Sequence, residues 1–473
     1  MKKLFLTLTI FLLSISFYPV KALEKASDIL KKNVVTTGDG LYVDPTENER
    51  YIYKGGNPNN FIKFNDELWR IISVEKDGSL KIIRANALDE KLPFNESSLD
   101  KGSYCSKLRD DGFGCNVWAK IDYFKDGYKM DYNQNKNVPY EGSVNMDSDL
   151  NTYLNNDYYS SLNQISKNMI VNYDFGIGSY DDDYNDEYWN NVYDYNRNLN
   201  LSKEMLEKYN KDYSCVNWDR KPCNVAAEEY MKNAEEYKAK IKDIDKDNII
   251  LDTMNKYKAS ENEYVWNGKI ALANVSDVIL ANTNENSCRN IRDYRDYNYY
   301  SIEADGTTKN ECTGGISSSF KEDCFNKCAD TNWLMPSKKY KFTDYNYLFL
   351  NSPGNFTWNG GYIYAAAYQG LAYQNVKDNY DADYNHTYYI RPVLYLNSNI
   401  TIESGNGSEN TPYVILYNES LADDNQNVDN SSLMVNVPST SMFISIFVIG
   451  GFILIIIICL CIYLKVFKKK DIK

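Results

Sequence analysis

Met442 to Leu464 is a run of twenty-three residues without a charge, followed by Lys465, Lys468, Lys469 and Lys470. As a helix it reaches about 34 Å, enough to cross a bilayer. The lysines behind it act as a stop on the cytoplasmic side. At the other end, Lys2 and Lys3 precede an apolar run from Leu4 to Phe17, and Val20-Lys21-Ala22 supplies small residues at the cleavage positions. That is the pattern of a secretory signal peptide cut after Ala22, the run being short for a span. The two apolar ends predict that everything between them lies outside the cell, held at its C-terminus.

The formal net charge is −13. Setting aside three lysines in the leader and a net four positive charges in the tail takes the exported part to about −20. Such a field repels nucleic acid and anionic wall polymers, and favours neutral ligands, cations or basic partners. No nucleic-acid partner is expected. Tyrosine is frequent, at 43 residues, so part of the core is expected to be tyrosine where leucine would be usual.

Cys105, Cys115, Cys215, Cys223, Cys288, Cys312, Cys324 and Cys328 fall in the exported region. An even number outside the cell reads as disulfides. Cys105–Cys115 and Cys215–Cys223 are the expected close pairs, while the pairing of the last four stays open. Cys324-Phe325-Asn326-Lys327-Cys328 is alternatively the start of a zinc site. One histidine and no C-x-x-C repeat argue against it, so neither a metal nor a cofactor is expected.

Residues 1–22 are thus read as the signal peptide, and 23–165 as antiparallel β followed by helix. Tyr51–Lys54, Phe61–Phe64, Leu68–Val74 and Leu80–Arg84 read as strands of a meander, with turns at Asn65-Asp66 and Lys76-Asp77-Gly78. Leu150, Tyr153, Leu154, Tyr158 and Leu162 carry helical spacing. Residues 166–265 form an insertion or second lobe, with 173–200 acidic, aromatic and irregular. Within it Val225–Lys242 reads as an amphipathic helix. The Asp181–Glu187 run lacks the glycine and spaced glutamate of an EF-hand loop and reads as a solvated loop.

Residues 266–417 are β-rich, with strands at Tyr347–Leu350, Tyr362–Tyr368 and Tyr388–Leu396, a short helix capped by Val275-Ser276-Asp277, and a final hairpin turning at Gly405-Asn406-Gly407. Residues 418–436 form a flexible linker, and 437–473 hold the anchor region.

His386 is the single histidine and sits in no nucleophile elbow, which argues against a Ser-His-Asp hydrolase and against zinc hydrolases. A carboxylate pair for glycan hydrolysis remains open, with no pair singled out. Period-two alternation puts Tyr362, Tyr364 and Tyr368 on one strand face beside Trp358, a composition suited to stacking on sugar rings. The same tyrosines would equally make a core or a cross-strand ladder. Trp69, Trp333 and Arg391 are expected to hold the fold together.

An ordered set of segments resembles an uncharacterised family of surface proteins from low-GC Gram-positive gut bacteria. The set comprises Tyr51 to Asn60, Glu67-Leu-Trp-Arg-Ile-Ile72, Lys81-Ile-Ile-Arg84, Trp266 to Ile270, Asn332-Trp333-Leu334, Arg391-Pro-Val-Leu-Tyr-Leu396 and Gly405-Asn-Gly407 with Pro412-Tyr413. That resemblance implies no catalytic residues. The closing pattern is also similar to the end of C-type-lectin-like folds and the related formylglycine-generating-enzyme fold. Val437-Pro438-Ser439-Thr440-Ser441 resembles the L-P-x-T-G signal cut by sortases, departing from it at Val437 and Ser441. The chain is then either joined to the cell wall through Thr440 or retained by a transmembrane helix.

The expectation is an α+β protein of antiparallel sheets, C-type-lectin-like, with a helical insertion and one C-terminal transmembrane helix. Its expected role is non-catalytic binding of glycans or surface proteins. The alternatives are a glycan- or wall-acting hydrolase and a structural surface-layer component.

Overall fold

The computed structural model describes residues 24–95, 116–131, 136–178, 180, 187–242, 246–283, 288–291, 294, 299–302, 308–309, 324–326, 328, 331–335, 348–355, 362–367, 370–375 and 387–417. The chain divides into two units, 1–421 and 422–473, and the described residues all belong to the first.

Turn chemistry sets the register of the central sheet. Asn65 and Asp66 adopt φ of 53° and 59°, the double left-handed geometry of a tight hairpin. They join strand Phe61–Phe64 to strand Glu67–Val74. At the next turn Gly78 takes φ 86°, and Ser79 N donates to Asp77 Oδ1 at 2.8 Å. Strand Leu80–Arg84 then returns beside the long strand, with Ile71 opposite Ile82 and Val74 opposite Leu80.

The strand after Arg391, Val393–Leu396, pairs with Leu80–Arg84 and Ile270–Ala271 on its edges, and Ile170–Val171 also joins it. Along the main path the order is 270–271, 393–396, 80–84, 67–74, 61–64, 413–417 and 400–404, with Tyr51–Lys54 and Gly40–Val43 attached through the long strand. Every pairing in this ten-stranded sheet is antiparallel except that of Tyr413–Tyr417 with Phe61–Phe64. The fold is α+β with mainly antiparallel sheets.

Trp69, Ile71, Ile82 and Leu394 are buried in the main core. Tyr158, Tyr180, Tyr257, Tyr294, Tyr388 and Tyr395 are buried in it as well. Tyr173 stacks on Tyr395 with ring centroids 3.8 Å apart.

Three expectations are corrected. Within the stretch 173–200 the described residues include strand Tyr173–Gly176 and, from Glu187, a helix to Lys211. The face of that helix carrying Asn191, Ser202 and Met205 is buried. A stripe this polar escapes a reading based on apolar periodicity. Its partner is helix Cys223–Ile241, where Ala226 and Ala227 allow close approach and Ser202 Oγ donates to the Ala227 carbonyl at 2.8 Å. Second, helix Val275–Leu280 is capped from one residue earlier: Asn274 and Asp277 make a reciprocal capping box. Third, strand Leu348–Asn355 runs past Leu350, and the strand expected over Tyr388–Leu396 is broken into Thr387–Tyr388 and Val393–Leu396. Pro392 lacks the N–H that an unbroken strand would require there.

Among the described residues no helix is long and apolar enough to cross a membrane. The leader, the linker, the 437–441 motif and the apolar block 442–464 lie outside the described residues.

Candidate functional site

The densest chemistry is a buried ionic network beneath the sheet. Arg50 stands at the entry of strand Tyr51–Lys54. Its Nε donates to Glu75 Oε2 at 2.9 Å, its Nη2 donates to Ser73 Oγ at 3.1 Å, and it pairs with Asp44. Ser73 Oγ donates to Glu75 Oε1 at 2.5 Å. Asp277, in the first turn of helix Val275–Leu280, accepts from Lys81 Nζ at 2.7 Å and lies 3.9 Å from Arg50 Nη2. Lys258, from helix Lys246–Glu261, is 3.0 Å from Glu47 and 3.9 Å from Asp44.

Glu261 closes this group. Tyr180 donates to its Oε2 at 2.6 Å, and Ser276 Oγ also donates to it. Burial and the neighbouring Asp277 charge push the Glu261 carboxyl above its ordinary value, against Lys81, Ser276 and Tyr180. Burial opposes ionisation of Asp277 too, but Lys81 and Arg50 outweigh it and hold that carboxyl down. One carboxyl raised beside one lowered is the electrostatic pattern of acid–base pairs. Here both are sealed, Glu261 at 6 % exposure and Asp277 at 2 %, so the pair as folded meets no bulky substrate. The network's work is to tie two helices to the sheet.

A second cluster lies along the pairing of strands Phe61–Phe64 and Glu67–Val74. The Arg70 guanidinium carbon is 4.2 Å from the Phe61 ring centroid and 4.5 Å from that of Trp333. Arg70 Nε donates to Asn60 Oδ1 at 2.8 Å and Nη2 to the Pro58 carbonyl at 3.1 Å. Trp333 is fixed in turn, its Nε1 donating to the Tyr53 carbonyl at 2.9 Å. Arg391 donates to the carbonyls of Arg84 at 2.9 Å and Leu334 at 3.2 Å. Trp69 is fully buried, edge-on to Phe64 with centroids 5.4 Å apart.

The strand Tyr362–Ala367 forms the middle of a three-stranded antiparallel sheet with Leu348–Asn355 and Gly370–Asn375. Its register sets Tyr362 opposite Asn375 and Tyr364 opposite Tyr373. Trp358, Tyr368 and His386 lie outside the described residues, as do Cys105, Cys115, Cys312 and Asp181 to Asp186.

Cys215 is bonded to Cys223 and Cys288 to Cys328. The first bridge closes the loop between helices Glu187–Lys211 and Cys223–Ile241, where Asn217 Oδ1 accepts from the backbone N–H groups of Asp219 at 3.0 Å and Lys221 at 2.9 Å. Trp218, on this braced loop, is 100 % exposed. Cys324 lies in strand Cys324–Asn326. Among the described residues no group of His, Cys, Asp and Glu is arranged to hold a metal.

The ionic network and the Arg70 cluster escape a search for motifs, because their members are scattered along the chain. The available signal was a charge inside a strand otherwise reading as buried: Arg70 between Trp69 and Ile71, and Lys81 between Leu80 and Ile82. No protein-family model, curated protein or solved structure matches the chain.

Proposed function

We propose that this chain is a bacterial cell-surface protein whose exported part binds glycans without transforming them. The register of the three-stranded sheet is the observation that carries this reading. Directly opposed residues of an antiparallel pair share a face, so Tyr362, Tyr364, Tyr373 and Asn375 are register positions on one face of this strand pair. Tyrosine rings stack on sugar faces, while phenol and amide groups meet sugar hydroxyls. Trp358 and Tyr368, which flank this strand in sequence, are further candidates for contact with the sugar.

The two disulfides support an oxidising compartment. In this reading the leader 1–22 is removed, the closing strand after Arg391 belongs to a C-type-lectin-like fold, and residues 437–473 hold the chain at the membrane or, through Thr440, at the wall. The partners are then glycans or proteins of other surfaces, with 166–265 as an inserted lobe.

The test is a glycan array probed with the full-length chain. Binding that falls at least tenfold in Tyr364→Ala, with the unfolding midpoint unchanged, is the expected result. Absence of binding, or binding untouched by that substitution, overturns the proposal. Release of shortened oligosaccharides would favour a hydrolase.

A further inference from the structure

We infer that Arg70 forms one wall of an anion site, presenting its Nη1 edge to a carboxylate oxygen of a small ligand. The other parts of this guanidinium are already in use. The guanidinium lies over the rings of Phe61 and Trp333, and Nε and Nη2 each donate to a protein oxygen. Among the described residues Nη1 donates to no protein atom and Arg70 makes no ion pair. The rings compensate the charge through their faces, and among the described residues no protein oxygen accepts from the Nη1 edge.

The nearest acidic influences are Glu409 and Asp39. Asp39 is exposed, and its carboxylate is engaged by the backbone N–H groups of Gly56 at 3.1 Å and Asn57 at 2.8 Å. Glu409 is exposed on the final hairpin. Against them stands Arg391, anchored to two carbonyls and adding a second positive charge. Burial, reinforced by Arg391, lowers the Arg70 pKa to about 9, an arrangement that a bound anion would relieve. Arg70 is largely buried, at 8 % exposure. The fork made by Nε and Nη2 is committed to Asn60 and Pro58, so a ligand oxygen meets Arg70 at Nη1.

Such a carboxylate comes either from a free organic acid or from an acidic sugar. Thermal unfolding of the full-length chain, at constant ionic strength and pH, compares sodium acetate and sodium glucuronate with sodium chloride. The expected result is a saturable rise in midpoint of about 1.5 °C at tenfold excess over the dissociation constant. A rise with both salts assigns the site to carboxylates at large, and a rise with glucuronate alone assigns it to an acidic sugar. Arg70→Lys keeps the charge but loses the planar edge, and should abolish the saturable part. Saturation-transfer NMR on the unaltered chain gives a readout that needs no variant: acetate or glucuronate protons should receive magnetisation from the aromatic residues. Equal midpoints in all three salts together with no transfer would overturn the inference, as would an undiminished rise in a cooperatively folding Arg70→Lys. None of these outcomes bears on Tyr364.

Discussion

Lys81 Nζ lies 2.7 Å from Asp277 Oδ2, joining residues 196 positions apart across the main core. Asp277 also accepts the Asn274 N–H at 2.9 Å and so caps its own helix. Removing it leaves Lys81 and Arg50 buried with less countercharge. Asp277→Ala is expected to destabilise by about 3–5 kcal/mol, measured by denaturant unfolding. Lys81→Met combined with Asp277→Leu should recover part of that loss, because it removes both buried charges.

The pH dependence has two opposed limbs. Asp44 and Asp277 are held below the ordinary value of 3.8, after burial is outweighed by Arg50 and Lys258 for the first and by Lys81 and Arg50 for the second. Their stabilisation is present above 3.8 and is lost as pH falls through the lowered folded values. Glu261 is raised from 4.5 by burial and Asp277, so its contribution is full below 4.5 and is lost as pH rises through its raised folded value. Glu261→Gln should therefore flatten the upper limb and leave the acid limb in place. An unchanged upper limb in a stability–pH profile would show that Glu261 does not supply it.

The two bridges differ in the loop they close. Cys288–Cys328 spans 40 residues and Cys215–Cys223 spans 8. Chain-entropy reasoning gives about 4 kcal/mol for the longer and 2.5 kcal/mol for the shorter. Paired serine substitutions should rank in that order by denaturant midpoint.

Two tryptophans mark the extremes of burial. Trp69 is 0 % exposed and Trp218 is 100 % exposed. Trp69→Ala is expected to cost about 3–5 kcal/mol, while Trp218→Ala should stay within about 0.5 kcal/mol. Calorimetric unfolding of both variants checks the contrast.

The hairpin from Leu68 to Ile83 was legible because β-branched runs and a glycine turn act locally, and Gly78 takes the φ that its turn demands. The partners of Val393–Leu396 were not legible. They come from Ile82, Ile270 and Ile170, and long-range register follows from packing and leaves no local mark. Helix Glu187–Lys211 was hidden by its composition, since its buried face includes Asn191 and Ser202. Arg50 carries no local sequence signal, because only the closed fold brings Asp44, Glu75 and Asp277 around it. The tyrosine strand was visible from its alternation, while its pairing with Tyr373 and Asn375 required the structure.

The central claim is retention of a sugar without its breakdown, and equilibrium dialysis of the full-length chain against an array-positive oligosaccharide tests it most directly. Saturable uptake that Tyr364→Ala and Tyr373→Ala each weaken is expected, with the oligosaccharide recovered at its original length after prolonged incubation. Recovery of shorter products, or uptake indifferent to both substitutions in folded protein, would contradict it.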